Sequence, residues 1–174
     1  MNSPVADSVI RADDRCAIAQ LMAQYCHGID HRDWGLVRGC FAEDAVLLYG
    51  QYNGDTDGFV RYAELGLSGM IRCSHQLGQT YLLRCGELVR AETYATCFHR
   101  YPTDGGKEDL VVGARYVDDL IRVDSGAWRI TRRVMVYDWT RIDQVERELD
   151  DPSVIRGSVG SQDPWYGAKE EAPL

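Results

Sequence analysis

An acid, an imidazole and a phenol form a minimal set for moving a proton at a carbon centre, and this chain offers few of each in suggestive places. Its four histidines are His27, His31, His75 and His99. His27 and His31 are one helical turn apart, a spacing that can bridge a metal. No acidic third ligand has a clear place beside them, so solvated histidines at a helix end are the simpler reading and no metal site is expected. Asp30 lies between them, where an apolar stripe runs out beside Ile29. An acid there either caps the next helix or turns into a pocket. Asp33 is the better placed cap, which leaves Asp30 free. His75 sits at a strand entrance in the run SHQLGQT, where its plain alternative role is a half-buried ring bonded to backbone. His99 shares a strand face with Ala95, Cys97 and Tyr101, opposite a charged face, which points it inward. Tyr25 lies on the apolar stripe, so its hydroxyl needs a partner if buried. Arg133 shares a strand face with Arg129, Met135, Tyr137 and Trp139 and is either a surface arginine with a buried stem or a pocket cation.

The composition narrows the chemistry. A chain of 174 residues is one domain's worth of polypeptide, enough for a core and one pocket. Nineteen basic residues oppose 27 acidic ones, for a net charge of −8. Such a chain, with no basic cluster, is a poor partner for nucleic acid. Every long apolar stretch is broken by charge before ~20 residues, so no membrane span is expected. The first residues lack the basic start and apolar run of a signal peptide, which makes the cytoplasm the expected compartment. Six cysteines lie among apolar residues without a C-x-x-C pair and read as reduced, mostly buried thiols. No P-loop, G-x-G-x-x-G, G-x-S-x-G or H-E-x-x-H is present, which removes the main support for nucleotide, dinucleotide and serine-hydrolase readings.

Hydrophobic period then supplies the elements. Ile18, Leu21, Met22, Tyr25 and Ile29 paint one face of a helix over about residues 8–30. A short second helix follows from Asp33, with Trp34, Val37, Cys40 and Phe41 as its buried face. Residues 45–49 read as a strand and 58–67 as a third helix, with 68–74 as a connector. From there the period changes to two, and strands are expected at 80–85, 88–101, 110–123 and 128–139. Helices followed by an antiparallel meander predict an α+β domain, with the helices packed on one face of a curved sheet. Residues 1–140 form that domain, and 141–174 read as an irregular arm that packs on it or on a neighbouring subunit.

This order of elements resembles the nuclear-transport-factor-2-like cone, a cystatin-like α+β barrel with an internal pocket. Four segments resemble its SnoaL-like branch, which includes scytalone dehydratase, bile acid 7α-dehydratase and hexachlorocyclohexane dehydrochlorinase. They are IAQLMAQYCHGIDHRDW, FAEDAVL, SHQLGQTYL and GAWRITRR, and together they span about residues 10–140. The resemblance places the family's catalytic acid on Asp30, its histidine on His75 and a tyrosine of the bile acid dehydratase pattern on Tyr25. It places a cavity arginine on Arg133 and a second cavity histidine on His99. The dehydrochlorinase carries lysine where Tyr25 stands, which argues against that particular chemistry.

The function so implied is a lyase of the dehydratase type, or an isomerase, that needs no cofactor. Asp30 orients His75, His75 takes a proton from an activated carbon, and Tyr25 steadies the developing oxyanion. Trp34, Leu47, Tyr49, Phe59, Tyr62, Met135, Tyr137 and Trp139 are the candidate apolar walls. They suit a hydrophobic or aromatic small molecule such as a polyketide, steroid or lignin-type aryl compound, possibly with loss of a small carbonyl such as formaldehyde. The alternatives are a non-catalytic small subunit of a ring-hydroxylating dioxygenase and a small-molecule binding module. A homodimer or homotrimer through the outer sheet face is the expected assembly.

Overall fold

The computed structural model describes residues 9–149 and 151–171. Helix α1 (Ala12–His31) buries Ile18, Leu21, Met22, Tyr25 and Ile29 along one stripe. Asp13 and Asp14 occupy its first turn, where negative charge complements the helix dipole. The helix stops at Arg32, whose φ of 57° is the one positive value among non-glycine residues described. That conformation is uncommon for a residue with a Cβ. Its guanidinium is tied down in return, donating from Nη2 to the carbonyls of Leu67 (2.7 Å) and Met70 (3.1 Å).

Helix α2 (Trp34–Arg38) is capped by Asp33, whose carboxylate accepts the Leu36 N–H at 2.9 Å. Cys40 and Phe41 are buried, but not as part of this helix: it ends at Gly39, and strand β1 (Phe41–Leu48) starts immediately. After the two-residue strand β2 (Asn53–Gly54) comes α3 (Thr56–Leu67). Its cap is Asp55, which accepts the Gly58 N–H at 2.7 Å, so the helix begins before the expected Gly58. Four long strands follow: β3 (Arg72–Cys85), β4 (Leu88–Thr103), β5 (Gly106–Arg122) and β6 (Trp128–Gln144). Strand β3 starts well before the expected residue 80 and takes in part of the expected 68–74 connector, so His75 stands inside a ladder rather than at a strand entrance. The C-terminal segment holds a short 3-10 turn (Gly160–Gln162) and α4 (Pro164–Glu171). Among the described residues no helix is long and apolar enough to cross a membrane.

The six strands form one unclosed sheet in the order β2-β1-β6-β5-β4-β3. Strands β3 to β6 make the antiparallel meander, while β1 joins β6 in parallel. The protein is thus an α+β fold with its N-terminal helices against a curved sheet. Two irregularities in β6 decide which side chains face the interior. Asp119 pairs with Arg132 and Leu120 with Ile130, so Thr131 is an extra residue that reverses the alternation. Arg133 therefore lies on the same face as the buried Trp128 and Ile130, and Arg129 lies opposite, contrary to the simple period-two reading. Asp138 is extra in the same way, because Ala114 pairs with Tyr137 but Gly113 with Trp139.

The end of α1 is fixed by close packing at Gly28. A Cβ there would lie 2.8 Å from Val37 Cγ2 and 3.2 Å from both the Asp33 carbonyl and the Val37 nitrogen. Backbone atoms cannot yield cheaply at that distance. Gly28→Ala is expected to destabilise the protein by about 1–3 kcal/mol, as overpacked core sites do. Urea denaturation followed by circular dichroism measures this, and an unchanged midpoint would contradict the packing argument.

Candidate active site

Asp30, in the last turn of α1, meets His75 on β3 through both carboxylate oxygens. Oδ1 lies 2.6 Å from His75 Nδ1, and Oδ2 accepts the His75 backbone N–H at 2.9 Å. Cys73, two residues earlier on the same face of β3, adds its thiol at 3.6 Å from Oδ1. Burial alone would raise the Asp30 pKa, but the contacts from His75 outweigh it and hold the carboxyl below its ordinary range. For His75, burial pulls the pKa down, yet the hydrogen bond its ring donates to Asp30, together with the neighbouring Cys97, pushes it up to about 10. Burial pushes the Cys73 thiol up to about 12, so it serves as a protonated donor.

With Nδ1 committed to Asp30, Nε2 is the remaining ring nitrogen, and the ring, which also meets the Cys97 side chain, helps to line a cavity of about 480 Å³. Tyr25 and Tyr49 lie in the same wall, their hydroxyl oxygens 2.8 Å apart. Burial raises both phenols, Tyr25 well above its usual value and Tyr49 to about 12. His99 faces Cys73 directly across the β3–β4 ladder, and its ring centroid is 5.5 Å from that of His75. Burial, reinforced by the charge of His75, lowers its pKa to about 4. His99 is therefore neutral at pH 7, and its Nδ1 is buried without a hydrogen-bond partner. Tyr62, Tyr137, Phe59 and Met135 also line this cavity.

Four of the expected wall or pocket residues do not reach it. Arg133 is fully buried behind the wall, its Nε and Nη2 on the two oxygens of Asp118 at 2.7 and 2.8 Å. Its guanidinium carbon stacks 4.1 Å from the Tyr25 ring centroid and 4.3 Å from that of Tyr116. It thus supports the tyrosines from behind. Trp34 is half-buried against the core and no part of the cavity lining. Leu47 is wholly buried and no part of the lining. Trp139 falls after the Asp138 bulge and lies on the outer face of the sheet, its indole over Gly113, where a Cβ would come within 2.1 Å. His27 and His31 are not simply solvated: Trp165 of α4 stands 5.5 Å from the His27 ring and Tyr166 5.6 Å from the His31 ring.

Sequence reasoning missed Cys73 and Tyr116. Cys73 was assigned to a connector, although its C-x-H spacing to His75 would place both on one strand face. Tyr116 is buried and alternates with Ala114 and Asp118 along β5, and that alternation is the signal that marks it. Asp30, Cys73 and His75 also present a carboxylate oxygen, a sulfur and a ring nitrogen all within 4.8 Å of one another. The hydrogen bonds above account for that cluster.

Helices packed on a curved, mostly antiparallel sheet with a cavity between them are the architecture of the nuclear-transport-factor-2-like cones. Within it, the chain belongs to the SnoaL-like domain family, whose model matches residues 11–134. The uncharacterized protein Rv2910c of Mycobacterium tuberculosis is 30% identical over 131 residues, which cover 73% of this chain and 87% of that one. Among solved structures, a putative scytalone dehydratase from Novosphingobium aromaticivorans superposes with a TM-score of 0.66 at 20% identity, covering 83% of this chain and 96% of that one. A type 2 hexachlorocyclohexane dehydrochlorinase (LinA) gives 0.68 at 19% identity, covering 82% and 96%. At these identities the two structures share the fold.

Two outcomes follow from the geometry. In Asp30→Asn, the His75 pKa read by NMR of the ring carbons is expected to fall from its raised value toward or below 6.5. The pair also contributes stability while His75 is protonated, fully below its unfolded pKa near 6.5 and lost as pH rises through about 10. The wild type should therefore lose more stability than Asp30→Asn between pH 7 and 10, and parallel stability curves would contradict the coupling. Arg133→Met leaves Asp118 buried and unpaired, and it is expected to cost about 3–5 kcal/mol. Adding Asp118→Asn should recover part of that loss in thermal unfolding.

Proposed function

We propose that the protein is a lyase of the dehydratase type, or an isomerase, acting on a hydrophobic or aromatic small molecule through the Asp30–His75 pair. The single observation that carries this reading is the two-point hold of Asp30 on His75, at 2.6 and 2.9 Å, with the ring turned into a largely apolar cavity. In this reading the neutral His75 ring accepts, at Nε2, a proton from a carbon next to a carbonyl or aryl ring. Asp30 stabilises the imidazolium that forms and fixes Nδ1 as the protonated nitrogen. Its carboxylate also makes His75 a stronger base than free imidazole, at the cost of a smaller neutral fraction at pH 7.

The developing oxyanion needs a donor, and the tyrosine pair provides one. Tyr25 and Tyr49 share one hydrogen bond, so one hydroxyl proton stays available to the substrate. Arg133, stacked under Tyr25, favours negative charge at this end of the cavity. The proton on His75 then returns to the leaving oxygen in a dehydration, or to another carbon in an isomerisation. The cone supports this chemistry as an expectation of family membership, since fold alone does not assign activity.

A β-hydroxy aryl ketone tests the reading, because its products distinguish the routes. For 3-hydroxy-1-phenylpropan-1-one, dehydration gives phenyl vinyl ketone, whereas carbon–carbon cleavage gives acetophenone and formaldehyde. Turnover is expected to fall by roughly 10²–10⁴ in His75→Asn, the usual contribution of a positioned base. The rate should rise with pH through a midpoint above 6.5, because only the neutral ring accepts the proton, and that midpoint should move down in Asp30→Asn. A rate indifferent to His75, or a midpoint indifferent to Asp30, would sink the proposal.

A further inference from the structure

The lyase reading leaves one nucleophile of the cavity wall without a role. Cys97 lies on β4 directly opposite His75 in the β3–β4 ladder. Side chains paired in this way have Cβ atoms about 4.5–5.5 Å apart. Both residues line the cavity, and Cys97 is otherwise buried, so a reagent reaches its sulfur by way of that space. The sulfur also lies 3.7 Å from the Tyr116 hydroxyl oxygen. The His75 ring makes a side-chain hydrogen bond with Cys97, and with Nδ1 on Asp30 it is Nε2 that is left for the sulfur.

Carboxylate, imidazole and thiol thus follow one another as Asp30, His75 and Cys97. That is the order in which a thiol is activated: the ring takes the sulfur's proton and the acid holds the ring. The other three cysteines of the interior are placed differently. Burial raises Cys26 to about 12 and Cys40 to about 11. Cys73, raised to about 12, has the Asp30 carboxylate beside it, which disfavours a second negative charge. Cys16 and Cys85 are exposed and lie outside the cavity lining. In the same wall as Cys97, the Tyr25 and Tyr49 hydroxyls offer a donor to an oxygen that gains charge. The sulfur comes from β4 and the hydroxyls from α1 and the end of β1. A conjugated ketone fits that separation, because two carbons stand between its oxygen and the carbon a sulfur attacks.

We propose that Cys97 is a nucleophile that adds to the β-carbon of α,β-unsaturated ketones entering the cavity, with His75 carrying the proton. The thiol gives its proton to His75 Nε2, and the sulfur bonds to the β-carbon. The carbon–carbon π pair moves to the α-carbon and the carbonyl oxygen, where the tyrosine hydroxyls meet it. His75 then returns the proton to the α-carbon. The net change is addition of S–H across the double bond, with no oxidation or reduction. The inference rests on the reading above in placing the carbonyl oxygen at the tyrosine pair. It also goes beyond that reading, since the enone formed by dehydrating a β-hydroxy ketone becomes a reagent for the protein's own thiol.

Timed labelling of the full-length protein with phenyl vinyl ketone at pH 7, with each cysteine followed by peptide mass spectrometry, tests it. Cys97 is expected to be labelled at least about tenfold faster than the exposed Cys16 and Cys85, despite its burial. Propiophenone, the saturated ketone, should slow labelling of Cys97 and leave Cys16 and Cys85 unaffected. In His75→Asn, labelling of Cys97 should fall to the rate of the exposed thiols or below, and Asp30→Asn should slow it in the same direction. Should those variants not fold, the wild-type rates and the protection by propiophenone still decide. Cys97 unlabelled or labelled no faster than Cys16 and Cys85, a rate indifferent to His75, or no protection by propiophenone would each overturn the proposal. Fast, protected labelling of Cys97 without turnover of the β-hydroxy ketone would leave this inference standing and remove the lyase reading. Turnover with Cys97 unlabelled would do the reverse.

Discussion

The carboxylate of Asp30 does two jobs with two oxygens. Oδ2 takes the backbone N–H of His75, a group on the edge strand β3 that α1 packs against. Oδ1 takes the ring Nδ1 of the same residue. One side chain therefore docks the first helix on the sheet and fixes the imbalance between the two ring nitrogens. Backbone and ring cannot move independently while both bonds hold, so the direction of Nε2 is set by the helix–sheet contact. The contacts around Gly28 then matter to the site, because they set where α1 ends and hence where Asp30 stands. Arg32 closes the same corner by binding the carbonyls at the end of α3.

Behind the tyrosines lies the second constraint. Arg133 and Asp118 are both fully buried, and neither would be tolerated alone. Together they place a cation against the faces of Tyr25 and Tyr116, with Phe41 also 5.6 Å from the guanidinium carbon. A cation held against aromatic faces in a dry interior is a strong local field. It acts on the phenols without touching the ligand. The bulge at Thr131 makes this arrangement possible, since it turns Arg133 inward beside Asp118 and sends Arg129 outward.

Much of this was legible in the sequence, and the reasons for the rest are local. The apolar stripe of α1 and the change from helical to strand period gave the α+β order. The cap of α2 at Asp33 freed Asp30, and the family motifs pointed to His75 as its partner. What failed was parity. Thr131 and Asp138 carry no glycine or proline signal, so nothing in the sequence marks them as extra residues. Without them Arg133, Tyr137 and Trp139 alternate on one face; with them Arg133 goes behind the wall, Tyr137 stays in it and Trp139 goes outside. Strand β3 was shortened for a related reason. Its start, RCSHQLGQ, mixes polar and small residues on both faces, because one face borders a polar cluster and the other is half exposed.

The two cavity histidines show how one sheet patch gives two chemistries. His75 and His99 lie on adjacent strands with ring centroids 5.5 Å apart, and both are largely buried. Desolvation disfavours the charged form of each. Only His75 has a carboxylate in hydrogen-bond contact, so it is raised to about 10, whereas His99 falls to about 4. A charged His75 further disfavours charge on His99. The result is one ring that can carry a proton and one that stays neutral to bind. That division follows from the placement of a single acid on α1.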